Sequence, residues 1–455
     1  MKITALGVIL IQSLVAELSI VHEAKWPTLD GKPAKIFGHR GEKAFMPQHT
    51  LGSYHMAAIE GADFVEPDLV ATKDGHLVCY HDLYIKEGTD IEEHPEFAHL
   101  RKTFNDILDG KPKVIENDWF ISDFTLAELK TLKVRQKNTG VRPLYFDSVF
   151  EIPTFEEYLT LVQDLSYKLN KPLGIVPELK HPVYHQNLRP NELNWFEDKV
   201  LDIFKSFGYP INKGDKERCH ARVEDQNTGK ITEIDFPCGE VVIQNFDFDS
   251  LKYLRSKTNL ISLVMLNEDN PYLLTPKGLD QVSKYANWYS PWKEYAVVGA
   301  VAELGHRRII YDPSKIAELG GFIPKDDLVK ECHKRGLRFV PFTFYDSREP
   351  SKRGCAVKCY PENKREEFFH FLSMGADGMF CENIPEAIQL RVEYNSLLNF
   401  KAKFIPINQL NRNQYTIVKG FGNGIIYYLI LFITPPLFLR YILPRFFHRS
   451  SSEKH

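Results

Sequence analysis

The feature that most constrains the fold of this chain is an alternation of short apolar segments with amphipathic ones from residue 35 to residue 394. Short apolar segments predict buried strands, and the longer amphipathic segments predict helices. This order of elements is typical of a parallel sheet, in which each helix returns the chain to the edge where the next strand begins. The predicted strands cover residues 35–39, 63–70, 77–81, 173–180, 240–246, 260–265, 337–344 and 378–381.

The number of predicted strands favours a closed barrel over an open doubly wound sheet. We therefore predict an α/β protein with a (β/α)8 TIM barrel and loop insertions. Helices are predicted over residues 50–60, 154–169, 193–207, 248–256, 276–285, 325–335, 365–373 and 385–394. Three charged stretches interrupt the alternation and are interpreted as loop insertions, at residues 86–120, 213–237 and 346–363.

The composition excludes some classes of partner. Of the 455 residues, 43% are apolar and 26% are charged, which suits a globular protein with a buried core. The formal net charge is -3 and no long basic or acidic run occurs, so we expect no nucleic-acid partner. No glycine-rich phosphate loop follows the first predicted strand, which argues against a nucleotide-binding fold.

Two apolar segments lie near the ends of the chain. Lys2 followed by an apolar run predicts a signal peptide over residues 1–20, with a first helix of the domain as the alternative. Residues 424–443 are apolar, contain Pro435 and Pro436, and precede a basic tail. We interpret them as a membrane anchor, with an interfacial hairpin or a packed helix as the alternative. The globular domain, residues 28–400, would then face the secretory lumen or the cell exterior.

The seven cysteines include two plausible disulfide pairs. Cys79 and Cys381 lie in apolar strand-like runs and are expected to be buried thiols. The other candidates bracket irregular polar segments, and disulfides are expected there if the chain is exported. These pairs are Cys219 with Cys238, and Cys355 with Cys359. No Asn-x-Ser/Thr sequon occurs, which weakens the expectation of a eukaryotic lumenal protein.

Polar residues follow the first two predicted strands in a pattern that suits phosphate chemistry. His39 and Arg40 end the first strand, where an imidazole can transfer a proton and a guanidinium can bind two phosphate oxygens. Such a pair alone is more often a surface feature. Glu66 and Asp68 are two residues apart on a strand and share one face. Two carboxylates on one face repel each other unless a cation lies between them, and a divalent ion with oxygen ligands is the simplest candidate.

Two further segments add an acid–base group and another cation. Asp74-Gly75 predicts a hairpin turn, and the strand after it leads to His81, a second candidate for proton transfer. Glu178 and Lys180 share a face at the end of a later strand. Such pairs are usually plain ion pairs, but a third carboxylate can complete a metal site and a lysine can bind phosphate. The set is typical of phosphodiester chemistry.

These motifs resemble the glycerophosphodiester phosphodiesterase family, in its bacterial periplasmic, plant and protist type. The resemblance covers residues 35–390 and is carried by GHRGEKAFMPQHT, GADFVEPDLVATKDGHLVCYHD, PELK, VVIQNFD, RFVPFTF and GADGMFCENIP. It implies that His39 and His81 are the general acid and base, and that Arg40 and Lys180 bind the phosphate. It also implies one divalent cation, Ca²⁺ or Mg²⁺, on the three carboxylates Glu66, Asp68 and Glu178.

Three positions depart from the usual family pattern. Gln48 stands where the family often has Glu, Cys381-Glu382 replaces a common Thr-Asp pair, and Pro67 separates the two metal acids. None removes a residue that the resemblance assigns to catalysis. The aromatic residues that follow late strands are interpreted as core or rim packing and are left out of the site: Trp288, Trp292, Phe342 and Phe344.

The resemblance implies hydrolysis of small glycerophosphodiesters, such as glycerophosphocholine and glycerophosphoethanolamine, to glycerol 3-phosphate and an alcohol. The partners expected are that substrate and a membrane. One alternative is a lysophospholipase D or sphingomyelinase D-like enzyme on the same barrel, which the apolar segment at 424–443 favours. Another is a non-catalytic membrane-bound binding protein, against which the two histidines argue.

Overall fold

A computed structural model describes residues 25–137, 140–225, 227–346 and 364–403 of the chain, with side chains to residue 399. The predicted signal peptide, residues 424–443, Cys355 and Cys359 lie outside the described residues. Contacts divide the chain into a unit of Lys25–Ser396 and a second unit of Met1–Ala24 with Leu397–His455. Within the described ranges, no helix is both long enough and apolar enough to cross a membrane.

Eight parallel strands in the first unit close into a barrel, which confirms the predicted fold class. The second and third strands are each split at a proline, Pro67 or Pro177, which has no N–H for the sheet ladder. In chain order the strands are Lys35–Gly38, Phe64–Val65 with Asp68–Ala71, Gly174–Ile175 with Glu178–Leu179, Val242–Asn245, Ser262–Asn267, Trp288–Pro291, Arg338–Phe339 and Gly378–Cys381.

The barrel closes between its first and last strands. Lys35 pairs with Gly378, and Gly38 pairs with Cys381, in parallel register. A single bridge from Phe344 to Cys381 joins the chain after the seventh strand to the eighth. Each strand therefore has a neighbour on both sides, and the carboxyl ends of all eight strands meet at one mouth of the barrel.

Aromatic side chains fill the barrel interior. Phe37 stacks on Phe64 with ring centroids 4.6 Å apart, and Trp288 meets Phe37 edge-on at 5.7 Å. Val176, Val242, Val264, Leu266, Val340 and Phe380 complete this buried cluster. The interior is therefore a packed core and not a channel, so a substrate of this barrel would bind at its mouth.

Helices connect the strands on the outside of the barrel. The one that follows the hairpin begins with a capping box, in which Thr154 and Glu157 satisfy each other's backbone N–H groups. The main helices are Leu51–Ile59, Phe155–Lys168, Trp195–Ser206, Phe248–Lys257, Pro276–Tyr285, Leu328–Lys334, Lys364–Met374 and Ile384–Lys403. Short helices that were not predicted are Leu126–Leu129, Pro182–Leu188, Ala300–His306 and Pro313–Glu318.

The assignment of strands to the barrel was wrong in two places. Leu77–Cys79 is a strand, but it pairs antiparallel with Asp68–Ala71 and forms a hairpin outside the parallel ring. Trp288–Pro291, the sixth barrel strand, was not predicted. Its four residues follow a helix after only two residues and end at a proline, so they lack the length and alternation of a typical strand signal.

The first predicted insertion packs with the adjoining hairpin into a second hydrophobic cluster, which also includes Val70 and Val78. Phe97, Trp119, Phe120 and Phe124 are buried there with several aliphatic side chains. Two strands, Lys102–Leu108 and Lys111–Asp118, form a hairpin. Asp109 at its tip accepts a 2.6 Å hydrogen bond from His181 Nδ1, and Lys111 pairs with Asp269. The hairpin thus reaches the loops after the third and fifth barrel strands.

The second insertion is a disulfide-linked hairpin. Strands His220–Glu224 and Ile231–Asp235 pair antiparallel, and Cys219 is bonded to Cys238 on either side of them, as predicted. Cys79 and Cys381 are buried free thiols, which was also predicted. Residues 347–363 of the third insertion lie outside the described residues.

Candidate active site

Most residues singled out from the sequence gather at the carboxyl ends of the first three barrel strands, and His81 follows the hairpin strand Leu77–Cys79. His39 follows the first strand directly, and Glu66 and Asp68 flank the break in the second. Asp68 is in register with Glu178 on the third strand. Because these strands are parallel neighbours, their ends bring all of these side chains to one mouth of the barrel.

A tight turn after the first strand places Arg40 beside the acidic residues. Arg40 has a left-handed backbone with φ of 62°. Its backbone N–H donates to Glu66 at 3.1 Å, and its Nε lies 3.5 Å from Asp68 Oδ2. Gly41 also has positive φ, and a Cβ there would lie 2.2 Å from Ser53 Oγ. The turn therefore brings Arg40 to the same pocket as His39, which strand alternation alone would not do.

Three carboxylates form the core of the site. Glu66, Asp68 and Glu178 are all buried, and each offers an oxygen within 4.8 Å of the others. Asp68 Oδ1 is buried without a hydrogen-bond partner among the described residues. A buried carboxylate oxygen without a partner is costly, and a hard cation with oxygen ligands would satisfy it. The three residues therefore fit a divalent cation.

The pKa values of the cluster reflect the crowding of negative charge. Burial, Asp68 and Glu178 raise the pKa of Glu66 well above its ordinary value. Burial also raises the pKa of Glu178 to about 7 against the opposing effect of Lys180. Burial alone would raise the pKa of Asp68, but His49 and Lys180 hold that pKa well below its ordinary range. Three ionised carboxylates at this spacing need added positive charge.

Hydrogen bonds from neighbouring strands orient these carboxylates. His49 Nε2 lies 2.8 Å from Asp68 Oδ2, and its Nδ1 lies 2.8 Å from the Tyr54 hydroxyl. The Gln244 amide, on the fourth barrel strand, donates to Glu66. Both partners were missed as site residues, although they lie in the segments PQHT and VVIQNFD, where a polar residue follows or interrupts an apolar run.

Cations complete the pocket. Lys180 donates a 2.7 Å hydrogen bond to Glu178 Oε1, so the predicted pairing on one strand face is confirmed. Lys180 Nζ also lies 6.0 Å from the centre of the Phe246 ring. Arg40 Nη1 donates to Gln48 Oε1 at 3.0 Å. Gln48 is neutral where the family often has an acid, so Asp68 is the carboxylate nearest to the guanidinium of Arg40 among the described ion pairs.

Each of the two histidines has a carboxylate near Nδ1. His39 Nδ1 lies 3.5 Å from Glu382 Oε1, and its Nε2 lies 3.9 Å from Glu66 Oε2. His81 Nδ1 lies 2.8 Å from Asp82 Oδ1. Burial, Lys43 and Arg40 lower the pKa of His39 well below its usual value. Burial, Arg40 and Lys180 lower the pKa of His81 to about 3. Burial therefore disfavours the charged form of both imidazoles in the absence of a bound anion.

The Glu382 carboxylate was missed as a site residue. It follows the eighth strand directly and lies 2.6 Å from Lys43 Nζ, and its Oε2 accepts a 2.8 Å hydrogen bond from Arg142. Burial alone would raise its pKa, but Lys43, His39 and Arg142 hold the pKa of Glu382 well below its ordinary value. Glu382 had the same signal as the predicted acids, a charge at the end of an apolar strand, and had been noted only as a departure from the family pattern.

The late aromatic residues lie where packing was expected. Trp288 is part of the barrel core. Trp292 is buried at the rim and donates from Nε1 to Glu303 at 2.9 Å. Phe342 contacts both Trp292 and Phe246, with ring centroids about 6 Å apart. Phe344 packs against Phe368 and Phe371.

Comparison with known proteins places this geometry in a family. The model of the Glycerophosphoryl diester phosphodiesterase family matches residues 39–386. The chain belongs to that family, and it is an enzyme of the phosphodiesterase class. Glycerophosphodiester phosphodiesterase GDPD6 of Arabidopsis thaliana is 27% identical over 373 residues, which cover 79% of this chain and 86% of that protein. The Glycerophosphodiester phosphodiesterase of Haemophilus influenzae is 28% identical over 380 residues, with 75% and 88% covered.

A solved structure supports the fold. A candidate glycerophosphoryl diester phosphodiesterase from Silicibacter pomeroyi DSS-3 superposes with a TM-score of 0.51. The match covers 81% of this chain and 98% of that one, at 15% sequence identity. At this identity the likeness concerns the barrel and not the choice of substrate.

Proposed function

We propose that the protein hydrolyses glycerophosphodiesters, such as glycerophosphocholine and glycerophosphoethanolamine, to glycerol 3-phosphate and an alcohol, and that it requires Ca²⁺ or Mg²⁺. The observation that carries the proposal is the cluster of Glu66, Asp68 and Glu178 at the same barrel mouth as His39 and His81. A binding protein has no need of two histidines, each with a carboxylate beside it. Family membership supports the reaction class.

In the proposed mechanism, each polar group of the site has a separate role. A cation bound to the three carboxylates would neutralise charge on the phosphate. Arg40 and Lys180 bind phosphate oxygens and orient the phosphorus. One of the histidines, His39 or His81, takes a proton from water or from the glycerol 2-hydroxyl, and that oxygen bonds to phosphorus. The other histidine, which carries protons on both ring nitrogens for this step in a form favoured by the phosphate anion, gives one of them to the alcohol oxygen as its bond to phosphorus breaks.

The first test is release of glycerol 3-phosphate from glycerophosphocholine by the purified full-length chain. The assay runs with Ca²⁺, with Mg²⁺ and with chelator, and the double variant His39→Ala/His81→Ala supplies the background. We expect release that depends on the cation and that chelator abolishes. Equal release with chelator would contradict the metal requirement, and no release by a folded sample with either ion would contradict the substrate class.

The attacking group can be identified by phosphorus NMR. Attack by the glycerol 2-hydroxyl passes through a cyclic glycerophosphate, whereas direct attack by water does not. A transient cyclic signal during turnover would assign the substrate hydroxyl, and its absence in rapidly quenched samples would assign water.

A second candidate substrate class is lysophospholipids or sphingomyelin. The apolar segment at residues 424–443 favours it, because an anchor would hold the site near lipid. Exposed apolar side chains in the loop before the helix Phe155–Lys168, including Leu144 and Tyr145, are consistent with it. Comparing kcat/KM for glycerophosphocholine and lysophosphatidylcholine separates the two classes, and a preference for the lysolipid would replace the first proposal.

We also propose export and anchoring, with the domain in the secretory pathway or at the cell surface. The bond between Cys219 and Cys238 supports this location, because disulfides persist mainly in oxidising compartments. Residues 1–20 and 424–443 supply the proposed signal and anchor. Protease protection of the full-length chain in sealed microsomes tests the topology. Digestion of the whole domain without detergent would contradict it.

A further inference from the structure

We propose that Glu382 is the positioning residue of His39, and that Lys43 and Arg142 hold the Glu382 carboxylate in place for this task. The kinetic consequence rests on the proposed function, whereas the geometric claim does not. The sequence pattern and the comparisons assign no role to these three residues. The inference rests on contacts among three chain segments that meet at the mouth of the barrel.

The register between the first and last strands places Glu382 opposite His39. Gly38 pairs with Cys381, and the His39 backbone N–H donates to the Cys381 carbonyl at 2.9 Å. His39 and Glu382, which follow Gly38 and Cys381, therefore leave the sheet side by side. The Glu382 side chain is fully buried, at 0% exposure, and its Oε1 faces His39 Nδ1 at 3.5 Å. Neither atom has a hydrogen-bond partner among the described residues as they stand, and catalytic contacts of this kind are often long until substrate binds.

This contact determines which ring nitrogen of His39 can act. A carboxylate at Nδ1 favours the tautomer that carries the proton there, because the N–H then donates to an anion. The Nε2 lone pair is left to face the acidic cluster, 3.9 Å from Glu66. A histidine in this tautomer can accept a proton at Nε2, the atom nearest to the place where the phosphate would bind.

Two cations keep the Glu382 carboxylate in the form that accepts a hydrogen bond. Lys43 Nζ lies 2.6 Å from Oε1, and Arg142 donates to Oε2 at 2.8 Å. An ionised buried carboxylate needs such partners, and Glu382 has both of them buried with it. With two cations bound, the carboxylate remains an anion and also has little freedom to turn away from the imidazole.

Arg142 is attached to the same loop as Lys43. The Gln136 side-chain amide donates to the carbonyls of Lys43 and Met46, at 3.3 Å and 3.0 Å. The segment that carries Arg142 is therefore tied to the loop that follows the first strand. This segment lies outside the barrel sheet. A residue that is not part of the barrel, Arg142, therefore helps to orient His39.

The chain offers a matched control for the loss of a buried charge. Lys293 pairs with Glu367, and both side chains are 4% exposed. Neither residue contacts a histidine of the site. Glu367→Gln therefore removes a buried, lysine-paired carboxylate just as Glu382→Gln does, but it leaves the surroundings of His39 intact. A general loss of stability would lower activity in both variants, whereas a mispositioned His39 would lower activity only in Glu382→Gln.

The test uses the full-length chain and compares Glu382→Gln, Glu382→Asp and Glu367→Gln. One readout is kcat and KM for glycerophosphocholine. The other is ring nitrogen NMR of histidine-labelled protein, with the His39 signals assigned by their loss in His39→Gln. The NMR readout needs no substrate, so failure of this proposal is distinguishable from failure of the proposed function.

We expect Glu382→Gln to lower kcat by roughly 10²-fold with little change in KM. Loss of a carboxylate that orients a functional histidine lowers activity by up to about that factor. The Nδ1–H tautomer of His39 should be lost with it. Glu382→Asp should restore the tautomer and bring kcat within about 10-fold of the wild type, because the charge is retained. Glu367→Gln should change neither readout.

Two results would overturn the proposal. One is an unchanged His39 tautomer in Glu382→Gln, and the other is a loss of kcat no greater than that of Glu367→Gln. If Glu382→Gln fails to fold, Arg142→Gln takes its place, since Lys43 still compensates the carboxylate. That variant should shift the same His39 signals and lower kcat several-fold, and wild-type values in both readouts would refute the role.

Discussion

The two histidines of the site are held in opposite ways. His81 pairs with Asp82, the next residue in the chain, and the two side chains are 27% and 37% exposed. His39 faces Glu382, which is 343 residues away in sequence and fully buried. The first arrangement is local and borders solvent. The second depends on closure of the barrel and on two cations, Lys43 from the loop after His39 and Arg142 from a separate segment.

This difference determines which substitutions can disturb the orientation of each imidazole. The orientation of His81 requires only its own strand end, and water can replace Asp82 as a hydrogen-bond partner. The orientation of His39 requires the first strand, the last strand and the segment of Arg142 to be in place together. We therefore expect His39 to be the more sensitive of the two to substitutions outside the site.

The largest expected effect comes from removing either imidazole. His39→Ala and His81→Ala should each lower kcat by more than 10²-fold, because each removes one proton-transfer group. Steady-state hydrolysis of glycerophosphocholine measures this. His76→Ala is the matched control, since His76 lies beside the hairpin turn and its side chain is 46% exposed. Near-normal turnover in either active-site variant would remove that histidine from the mechanism.

A smaller effect is expected from the partner of His81. Asp82→Asn should lower kcat by about 10-fold, less than the loss expected for Glu382→Gln, because solvent can supply the missing acceptor. Measuring both variants in one assay tests the contrast between the two histidines directly. Equal losses would show that burial and the added cations make no difference to positioning.

The smallest effect concerns a third buried histidine that has no carboxylate. His185 is fully buried against Phe196, and neither ring nitrogen has a hydrogen-bond partner within the described ranges. Burial, with a lesser contribution from His181, lowers the pKa of His185 to about 3. In the unfolded chain this imidazole becomes protonated below about pH 6.5, whereas in the folded chain it stays neutral until about pH 3. Protonation therefore favours the unfolded chain, and the free energy of unfolding decreases as the pH falls from about 6.5 towards 3.

His185→Leu removes this proton linkage. The stability of the variant relative to the wild type should be greater at pH 5 than at pH 7, by about 2 kcal/mol. Urea unfolding at the two pH values measures the difference, and kcat should be unchanged. A difference in unfolding free energy that is the same at both pH values would show that His185 is protonated in the folded protein as readily as in the unfolded one.

The barrel could be predicted because its strands are local apolar runs, but the sheet order could not be predicted fully. Leu77–Cys79 has the pattern of a strand, and only its antiparallel pairing with Asp68–Ala71 excludes it from the parallel ring. Trp288–Pro291 has no such pattern, and it becomes a strand because its neighbours pair with it on both sides. Tertiary context decided both cases.

The candidate site likewise has one part that local sequence predicts and another part that it does not. The seven predicted residues lie in four short segments whose spacing places them at strand ends, and the structure brings them to one mouth of the barrel. Glu382 and Arg142 are joined to His39 only through barrel closure and through a segment outside the barrel. Local spacing carries no information about such contacts, because they depend on which distant segments meet.

The pairing of the first strand with the last also determines when, during synthesis, the protein can become active. A ribosome that has made the first 370 residues has already made both histidines and the three carboxylates of the cluster. The barrel at that stage lacks its closing strand, Gly378–Cys381, and His39 has no carboxylate at Nδ1. A nascent or prematurely ended chain thus carries the reactive groups without their alignment, and it becomes competent only once this closing strand has joined the sheet.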